Sequence, residues 1–162
     1  MGNLSEEYPR KGSRSLFFKK SEWNMEIRRI NDNEKGLKSW IKELTGKPAD
    51  LLVPTAKFQH AYFGAFMDGK MIGFSVVLTS GKWILDALFV HPDHRGKGIA
   101  GKLTEVRIDF AKQNGAREIW YCCSDRNTAS LLSHKGYKFA KVKKAAPEEA
   151  PEPSHWHKMD IT

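Results

Sequence analysis

The sequence has few cysteines and no long hydrophobic run, and each absence excludes a class of protein. Only Cys122 and Cys123 are present. Neighbours on an extended chain point to opposite faces, which disfavours a mutual disulfide, so reduced thiols in a cytoplasm are expected. No stretch approaches the roughly 18 apolar residues of a membrane span, and the polar N-terminus lacks a secretory apolar region. These absences predict a soluble, cytoplasmic protein.

The composition is that of one globular domain with a basic surplus. Hydrophobic residues make up 40% and aromatic residues 11% of the 162 residues, which suffices for one core. The net charge of +8 favours anionic partners, which include nucleic acid, a membrane surface and a phosphate-bearing cofactor. Charge alone does not choose among them.

Residues 1–24 are predicted to be an extension ahead of one domain that spans residues 25–162. The extension is rich in lysine and arginine, and its one apolar cluster is at residues 16–18. Alternation then predicts a strand over residues 25–30, and Asn31 with Glu34 has the capping-box spacing of a helix start. Apolar residues at helical spacing continue to Gly46, where the helix is expected to stop.

The middle of the chain predicts an antiparallel meander followed by a crossover helix. Three strand-like segments, His60–Met67, residues 71–79 and Trp83–Val90, are joined by two-residue turns. Four apolar residues at helical spacing then predict an amphipathic helix: Ile99, Leu103, Val106 and Phe110. Beyond it we expect a strand at 119–123, a helix at 129–135, a strand at 137–142, a Pro/Glu-rich loop and a last strand at 156–161.

The sequence RGKGIA, residues 95–100, connects the third of these strands to the amphipathic helix. Glycines let the backbone approach an anion closely, and the first amides of a helix are unpaired donors reinforced by the helix dipole. An isolated Gly-x-Gly more often marks only a tight turn. Here the strand before, the helix after and the basic residues Arg95, Lys97 and Lys102 favour a pyrophosphate site.

This stretch resembles the central motif of the GNAT superfamily of N-acetyltransferases, Gln/Arg-x-x-Gly-x-Gly/Ala, and matches it at every defined position. Asn127, followed by Gly136 and Tyr137, resembles the family's second cofactor segment. The resemblance runs from about Met25 to the C-terminus. It implies an α/β (α+β) single-domain fold with a mixed, mostly antiparallel sheet, flanked by helices and splayed between its fourth and fifth strands. It also implies an acyltransferase that uses acetyl-CoA and no metal.

By the same resemblance, acetyl-CoA would lie along one stretch of backbone. The backbone of two strand residues, Phe89 and Val90, would pair with the pantetheine arm. The backbone amides of the following turn would hold the pyrophosphate, and these belong to Arg95, Gly96, Lys97, Gly98, Ile99, Ala100 and Gly101. Asn127 would contact the pantetheine arm, although a helix cap explains it equally well. Many members have a Tyr four residues before the second segment's glycine, as the acid for the departing thiolate. This chain has Leu132 there.

Asp86 is the predicted base, because an amine that is protonated at pH 7 must lose a proton before it attacks a thioester. It is the one polar residue of the strand Trp83–Val90, so its carboxylate must be paired, hydrogen-bonded or shifted in pKa. A structural aspartate satisfied by an arginine or an amide is the alternative. His134, near the position of the missing Tyr, is the second catalytic candidate, although a solvent-facing role on the helix is favoured.

The remaining candidates are predicted to be structural. Cys122 and Cys123 have no flanking histidine, which favours packing over nucleophilic catalysis. The histidine pairs 91/94 and 155/157 lack a further ligand at a fitting spacing, so no metal site is expected. The loop 146–154 contains three glutamates and no basic residue. It would favour a cationic acceptor if it covers the acceptor slot, and it would be a solvated linker otherwise.

Together these patterns predict transfer of an acetyl group from acetyl-CoA to a primary amine, by direct attack in a ternary complex. The acceptor would be a small amine, or a Lys or N-terminal amine of a peptide. Two alternatives stay open: a catalytically silent fold that binds coenzyme A, and a nucleic-acid-binding protein, for which the basic extension is the only hint. Nucleic acid and membrane are not the expected partners, and a homodimer is left open.

Overall fold

The alternating apolar segments assemble into one mixed sheet in a computed structural model that describes residues 3–10, 13–20, 23–48, 59–150 and 152–161. The sheet has nine strands in the order β1-β2-β3-β4-β5-β6-β7-β9-β8. The strands are β1 (Asn3–Arg10), β2 (Ser13–Lys20), β3 (Trp23–Ile30), β4 (His60–Met67), β5 (Lys70–Leu78), β6 (Trp83–Val90), β7 (Glu118–Ser124), β8 (Ala140–Lys144) and β9 (Ser154–Asp160).

One pair of strands sets the shape of the sheet. All neighbours are antiparallel except β6 and β7, which run parallel and pair only at Trp83 with Ile119 and at Ile84 with Trp120. Residues 85–90 of β6 have no partner on β7, whereas β7 is paired with β9 along its whole length. We call this opening the β6–β7 gap. The predicted fold, including the splay between the two strands, is confirmed.

The helices pack on opposite faces of the sheet. Helix α1 (Leu37–Thr45) buries Leu37, Ile41 and Leu44 on one face, and α2 (Ile99–Gln113) buries the predicted apolar stripe on the other. Each fully buried side chain of this kind stabilises the fold by about 1.5–3 kcal/mol. A third helix, α3 (Thr128–Ser133), follows β7. No helix in the described part of the chain is long and apolar enough to cross a membrane.

Three local predictions were wrong. Helix α1 does not start at the Asn31–Glu34 capping box, because the Glu34 carboxylate instead accepts two hydrogen bonds from Arg28, at 3.0 and 2.7 Å. Gly36 takes the N-cap position, in a left-handed conformation. The strand predicted at 137–142 begins only at Ala140, and the last strand begins two residues early, at Ser154.

The N-terminal segment contributes to the sheet. Strand β1 pairs with β2, and β2 pairs with β3, so the sheet continues past Met25 toward the N-terminus. The division into an extension of residues 1–24 and a domain of residues 25–162 stays a prediction.

Candidate functional site

The N-terminus of α2 offers a set of unpaired backbone donors. Gly96 and Gly98 have φ angles of 77° and 82°, and Gly98 is the N-cap without a side-chain hydrogen bond. The first amide of the helix to find a backbone acceptor is that of Lys102, which donates to the carbonyl of Gly98 at 3.1 Å. Within the described residues, the amides of residues 96–101 have no backbone acceptor. Such a turn binds anions.

Space and charge at this turn also suit an anion. A Cβ atom built at Gly96, Gly98 or Gly101 would meet no atom within 4 Å apart from the adjacent residues and the helix's own backbone, so no other part of the described chain covers these positions. Arg95 and Lys97 are exposed beside it. The Arg95 Nε donates to the Val90 carbonyl at 3.0 Å, and its guanidinium lies 5.6 Å from the ring centre of Phe89. Arg95 therefore joins the turn to the end of β6.

The β6–β7 gap leaves one backbone edge of β6 available. Phe89 and Val90 pair with Phe74 and Gly73 of β5, but neither has a partner across the gap. The edge opens at residue 85 and reaches the turn that begins at Arg95. An extended ligand that pairs with this edge would thus arrive at the amides of α2.

Asp86 lies at the inner end of the gap. Its side chain is exposed to water, yet surrounding protein raises the pKa of its carboxyl by desolvation. The amide of Ala87 donates to the carboxylate and the charge of Arg107 favours its ionised form, and both oppose the rise in pKa. The sequence predicted a carboxylate that is paired, hydrogen-bonded or shifted in pKa, and Asp86 has both a hydrogen bond and a raised pKa, while its role as the base stays a prediction.

Asn127 is a helix cap in this structure. Its side-chain oxygen accepts a hydrogen bond from the amide of Ser130 at 3.0 Å at the start of α3. Capping uses only the side-chain oxygen as an acceptor, so the NH2 group of the side chain can still donate hydrogen bonds to another partner. The contact with a pantetheine arm stays a prediction.

His134 is buried, and the expectation of a solvent-facing side chain was wrong. It is 6% exposed and stacks on Tyr121 with 3.7 Å between ring centres, while His157 stacks on the other side of that ring at 4.5 Å. Burial lowers the pKa of His134 to about 4. Its Nδ1 lies 2.7 Å from the carbonyl oxygen of Ser130, so Nδ1 carries the proton and Nε2 a lone pair.

The other predicted residues divide between the surface and the core. Leu132, at the position of the family's Tyr, is 64% exposed. Cys123 packs in the core and Cys122 is half-buried, both with free thiols. In the loop before β9, Glu152 accepts a hydrogen bond from the hydroxyl of Ser124 at 2.6 Å, and Glu149 accepts one from the amide of Ala146 at 2.8 Å.

Sequence reasoning missed Arg107, which is 0% exposed and contacts β5 and β6 from α2. A signal for it exists in the sequence. Arg107 follows Leu103 by four residues and precedes Phe110 by three, so it lies on the apolar stripe of α2, where a charged residue needs a partner.

Comparison with known proteins points in one direction. The model of the acetyltransferase (GNAT) family matches residues 15–139. The streptothricin acetyltransferase of Streptomyces lavendulae is 32% identical over 76 residues, which are 45% of this chain and 40% of that protein. The chain thus matches less than half the length of this curated relative.

Solved structures share the fold over most of the chain. The ribosomal-protein-S18-alanine N-acetyltransferase from Escherichia coli superposes with a TM-score of 0.69 at 16% identity, covering 85% of this chain and 94% of that one. A structure of yncA from Salmonella typhimurium with its cofactor acetyl-CoA superposes with a TM-score of 0.62 at 16% identity and the same coverage.

Proposed function

Because the chain belongs to the acetyltransferase (GNAT) family, we propose that it is an N-acetyltransferase that moves an acetyl group from acetyl-CoA to a primary amine. The observation that carries this proposal is the continuity of two features. The open edge of β6 leads directly to the unpaired amides at the N-terminus of α2. One feature suits a linear amide-bearing arm and the other suits a pyrophosphate.

In this proposal the amides of residues 96–101 hold the pyrophosphate, since that of Arg95 already donates to the Pro92 carbonyl at 3.4 Å, and the backbone of Phe89 and Val90 pairs with the pantetheine arm. The acetyl-CoA bound to yncA supports this use of the fold. Arg95 and Lys97, which flank Gly96 and are exposed, add positive charge beside the turn. Asn127 presents its amide nitrogen to the arm while its oxygen caps α3.

Asp86 acts as the base for direct attack in a ternary complex. It takes a proton from the acceptor ammonium, directly or through water, and the freed amine attacks the acetyl carbon. The carbon–sulfur bond then breaks, and the thiolate leaves with the electron pair. A raised pKa suits this role, because a base gains proton affinity as its pKa approaches the working pH.

The attacking nitrogen still carries a second proton when the tetrahedral adduct collapses, and in our proposal water relays this proton to the departing thiolate. Leu132 carries no acidic group at the family's usual position, and His134 has a lone pair at Nε2 near neutral pH. The role predicted for His134 is thereby reduced to shaping the wall of the site through its stack on Tyr121.

The acceptor is proposed to be a cation. The loop before β9 has Glu148, Glu149 and Glu152 on the protein surface, and the last two are held by hydrogen bonds to the protein. Ser124, which holds Glu152, is the last residue of β7, so these fixed carboxylates would attract an ammonium group that enters at this end of the strand. The free thiols of Cys122 and Cys123 support a cytoplasmic location.

Two measurements test the function. Acetyl-CoA at about 100 times its Kd is expected to stabilise the fold by about 2.7 kcal/mol, seen as a higher Tm. Mass spectrometry of a panel of amines with acetyl-CoA is expected to show a product heavier by one acetyl group. The panel includes streptothricin and a peptide with an N-terminal alanine, acceptors named for two similar proteins. Stabilisation without any product would favour a silent coenzyme A-binding fold, and no stabilisation would contradict the proposal.

A further inference from the structure

Strand β6 contains a bulge at the inner end of the β6–β7 gap. Ser75 pairs with Leu88 and Val77 pairs with Leu85, so one residue of β5 lies opposite two residues of β6. The two are Asp86 and Ala87. A bulge of this kind re-aims side chains and backbone groups, and bulges are common beside active sites. The proposed base therefore lies on the irregular part of its strand.

The guanidinium of Arg107 contacts both sides of this bulge from α2. Its Nη1 donates to the carbonyl of Val76 at 3.1 Å and to that of Asp86 at 3.4 Å. Its Nε donates to the Leu103 carbonyl at 3.2 Å and its Nη2 to the Thr104 hydroxyl at 3.3 Å. These bonds join the residue of β5 opposite the bulge, the bulge itself and the crossover helix. No other described side chain hydrogen-bonds both carbonyls.

The charge of Arg107 is unusual for its position. The side chain is 0% exposed, and all of its hydrogen bonds within the described chain go to neutral oxygens. Burial lowers the pKa of the guanidinium to about 10, so it is still charged at neutral pH. A buried charge without a direct ion pair costs stability, and an apolar side chain of similar volume often stabilises such a site better. Packing alone does not explain an arginine here.

We propose that Arg107 is a positioning residue for acetyl transfer, which fixes the bulge of β6 through the carbonyls of Val76 and Asp86 and so places the Asp86 carboxylate and the Ala87 amide at the gap. This inference rests on the proposed function. The guanidinium also withdraws electron density from the Asp86 carbonyl, and the amide of the same peptide group, that of Ala87, becomes a stronger donor. Arg107 thus acts on the reaction through the backbone of β6.

The positive charge has a second effect, which can be measured as a pH dependence. Arg107 favours the carboxylate form of Asp86 and opposes the desolvation that raises its pKa. The other titratable groups that act on Arg107 or respond to it are Tyr137 after α3, whose own pKa is raised mainly by burial, and His134, which is neutral near pH 7. Removing the charge should raise the pKa of Asp86 further.

The test compares R107M and R107K with the buried control I108V on the same helix. In R107M we expect kcat to fall about tenfold or more, KM for acetyl-CoA to change less than about twofold, and the acid limb of kcat/KM against pH to move to higher pH. R107K keeps the positive charge but lacks the planar guanidinium with its several N–H donors. We therefore expect kcat to fall while the acid limb of kcat/KM against pH stays in place. I108V removes one buried methyl group and none of the Arg107 hydrogen bonds, so it should match the wild type in kcat and in pH profile.

The outcomes separate positioning from a purely structural role. Wild-type kcat in R107M or in R107K overturns the proposal, and so does a loss in R107M that leaves the pH profile unmoved. If R107M does not fold, R107K alone decides through kcat, and failure of both to fold assigns Arg107 to stability and overturns the proposal. If the wild type transfers no acetyl group, the proposed function fails separately. An NMR titration of the Asp86 carboxyl in wild type and R107M then tests the coupling, with the lower pKa expected in the wild type.

Discussion

An alanine at Gly98 would test whether the N-terminus of α2 binds the pyrophosphate. Gly98 has a φ of +82° and open space at its Cβ position, so alanine adds strain without a clash. The strain costs about 1–2 kcal/mol, which in a chain of this size lowers the Tm by roughly 2–8 °C. The new methyl group would lie among the amides that are proposed to hold the pyrophosphate. We therefore expect the Kd for acetyl-CoA to rise about tenfold or more, which is at least about 1.4 kcal/mol.

Gly115 provides a matched control at the other end of the same helix. Its φ is +84° and its Cβ position is equally open, so Gly115→Ala should show the same loss of Tm with an unchanged Kd. Gly101→Ala, within the helix, should raise stability by about 0.5–1 kcal/mol and still weaken binding. Isothermal titration calorimetry with acetyl-CoA and thermal melting of each variant provide both numbers. A wild-type Kd in Gly98→Ala would refute the placement of the pyrophosphate.

Three further substitutions address the rest of the site. Asp86→Asn is expected to lower kcat about 100-fold. The wild type should lose activity as pH falls through the raised pKa of Asp86, and the variant should not show this loss. A pH profile that is the same in both would exclude Asp86 as the base. Burial lowers the pKa of His134 from 6.5 to about 4, so the wild type should lose up to about 3 kcal/mol of stability as pH falls through this range. His134→Phe keeps the stack on Tyr121 and should make the free energy of unfolding less dependent on pH in this range, as measured by denaturant unfolding at several pH values. The same pH dependence in the variant and the wild type would contradict this link between protonation of His134 and stability. Asn127→Asp keeps the capping oxygen and loses the amide donor, so the Tm should hold while acetyl-CoA binds more weakly; an unchanged Kd would leave Asn127 as a cap only.

The periodic parts of the fold could be predicted from the sequence because their residues repeat a burial pattern. The meander of β4, β5 and β6 and the stripe of α2 are found where alternation and helical spacing predict them. The bulge at Asp86 could not be predicted in the same way. One extra residue in a strand that is apolar on both sides leaves the composition of the strand unchanged, and only the pairing with β5 shows it.

The burial of His134 and the start of α1 show a second limit. Helix α3 has six residues, too few to show a periodicity, so no pattern indicates which way the residue at its end points. Glu34 has the right spacing for a capping box, but Arg28, six residues earlier, pairs with its carboxylate instead. In both cases a partner outside the local segment decides the outcome, and the local sequence holds no trace of that partner.

The β6–β7 gap divides the sheet into a larger part of six strands and a smaller part of three strands, which are joined only by the two residue pairs between β6 and β7. The chain crosses this boundary between β6 and β7 through α2, whose N-terminus is the proposed pyrophosphate site. A molecule bound in the gap would therefore contact both parts of the sheet and the helix that links them, and so would hold the two parts together while keeping β6 and β7 apart. In the proposed function the two substrates are therefore divided between the two parts of the sheet: the larger part and α2 would contact acetyl-CoA, and the loop with Glu148, Glu149 and Glu152 in the smaller part would contact the acceptor.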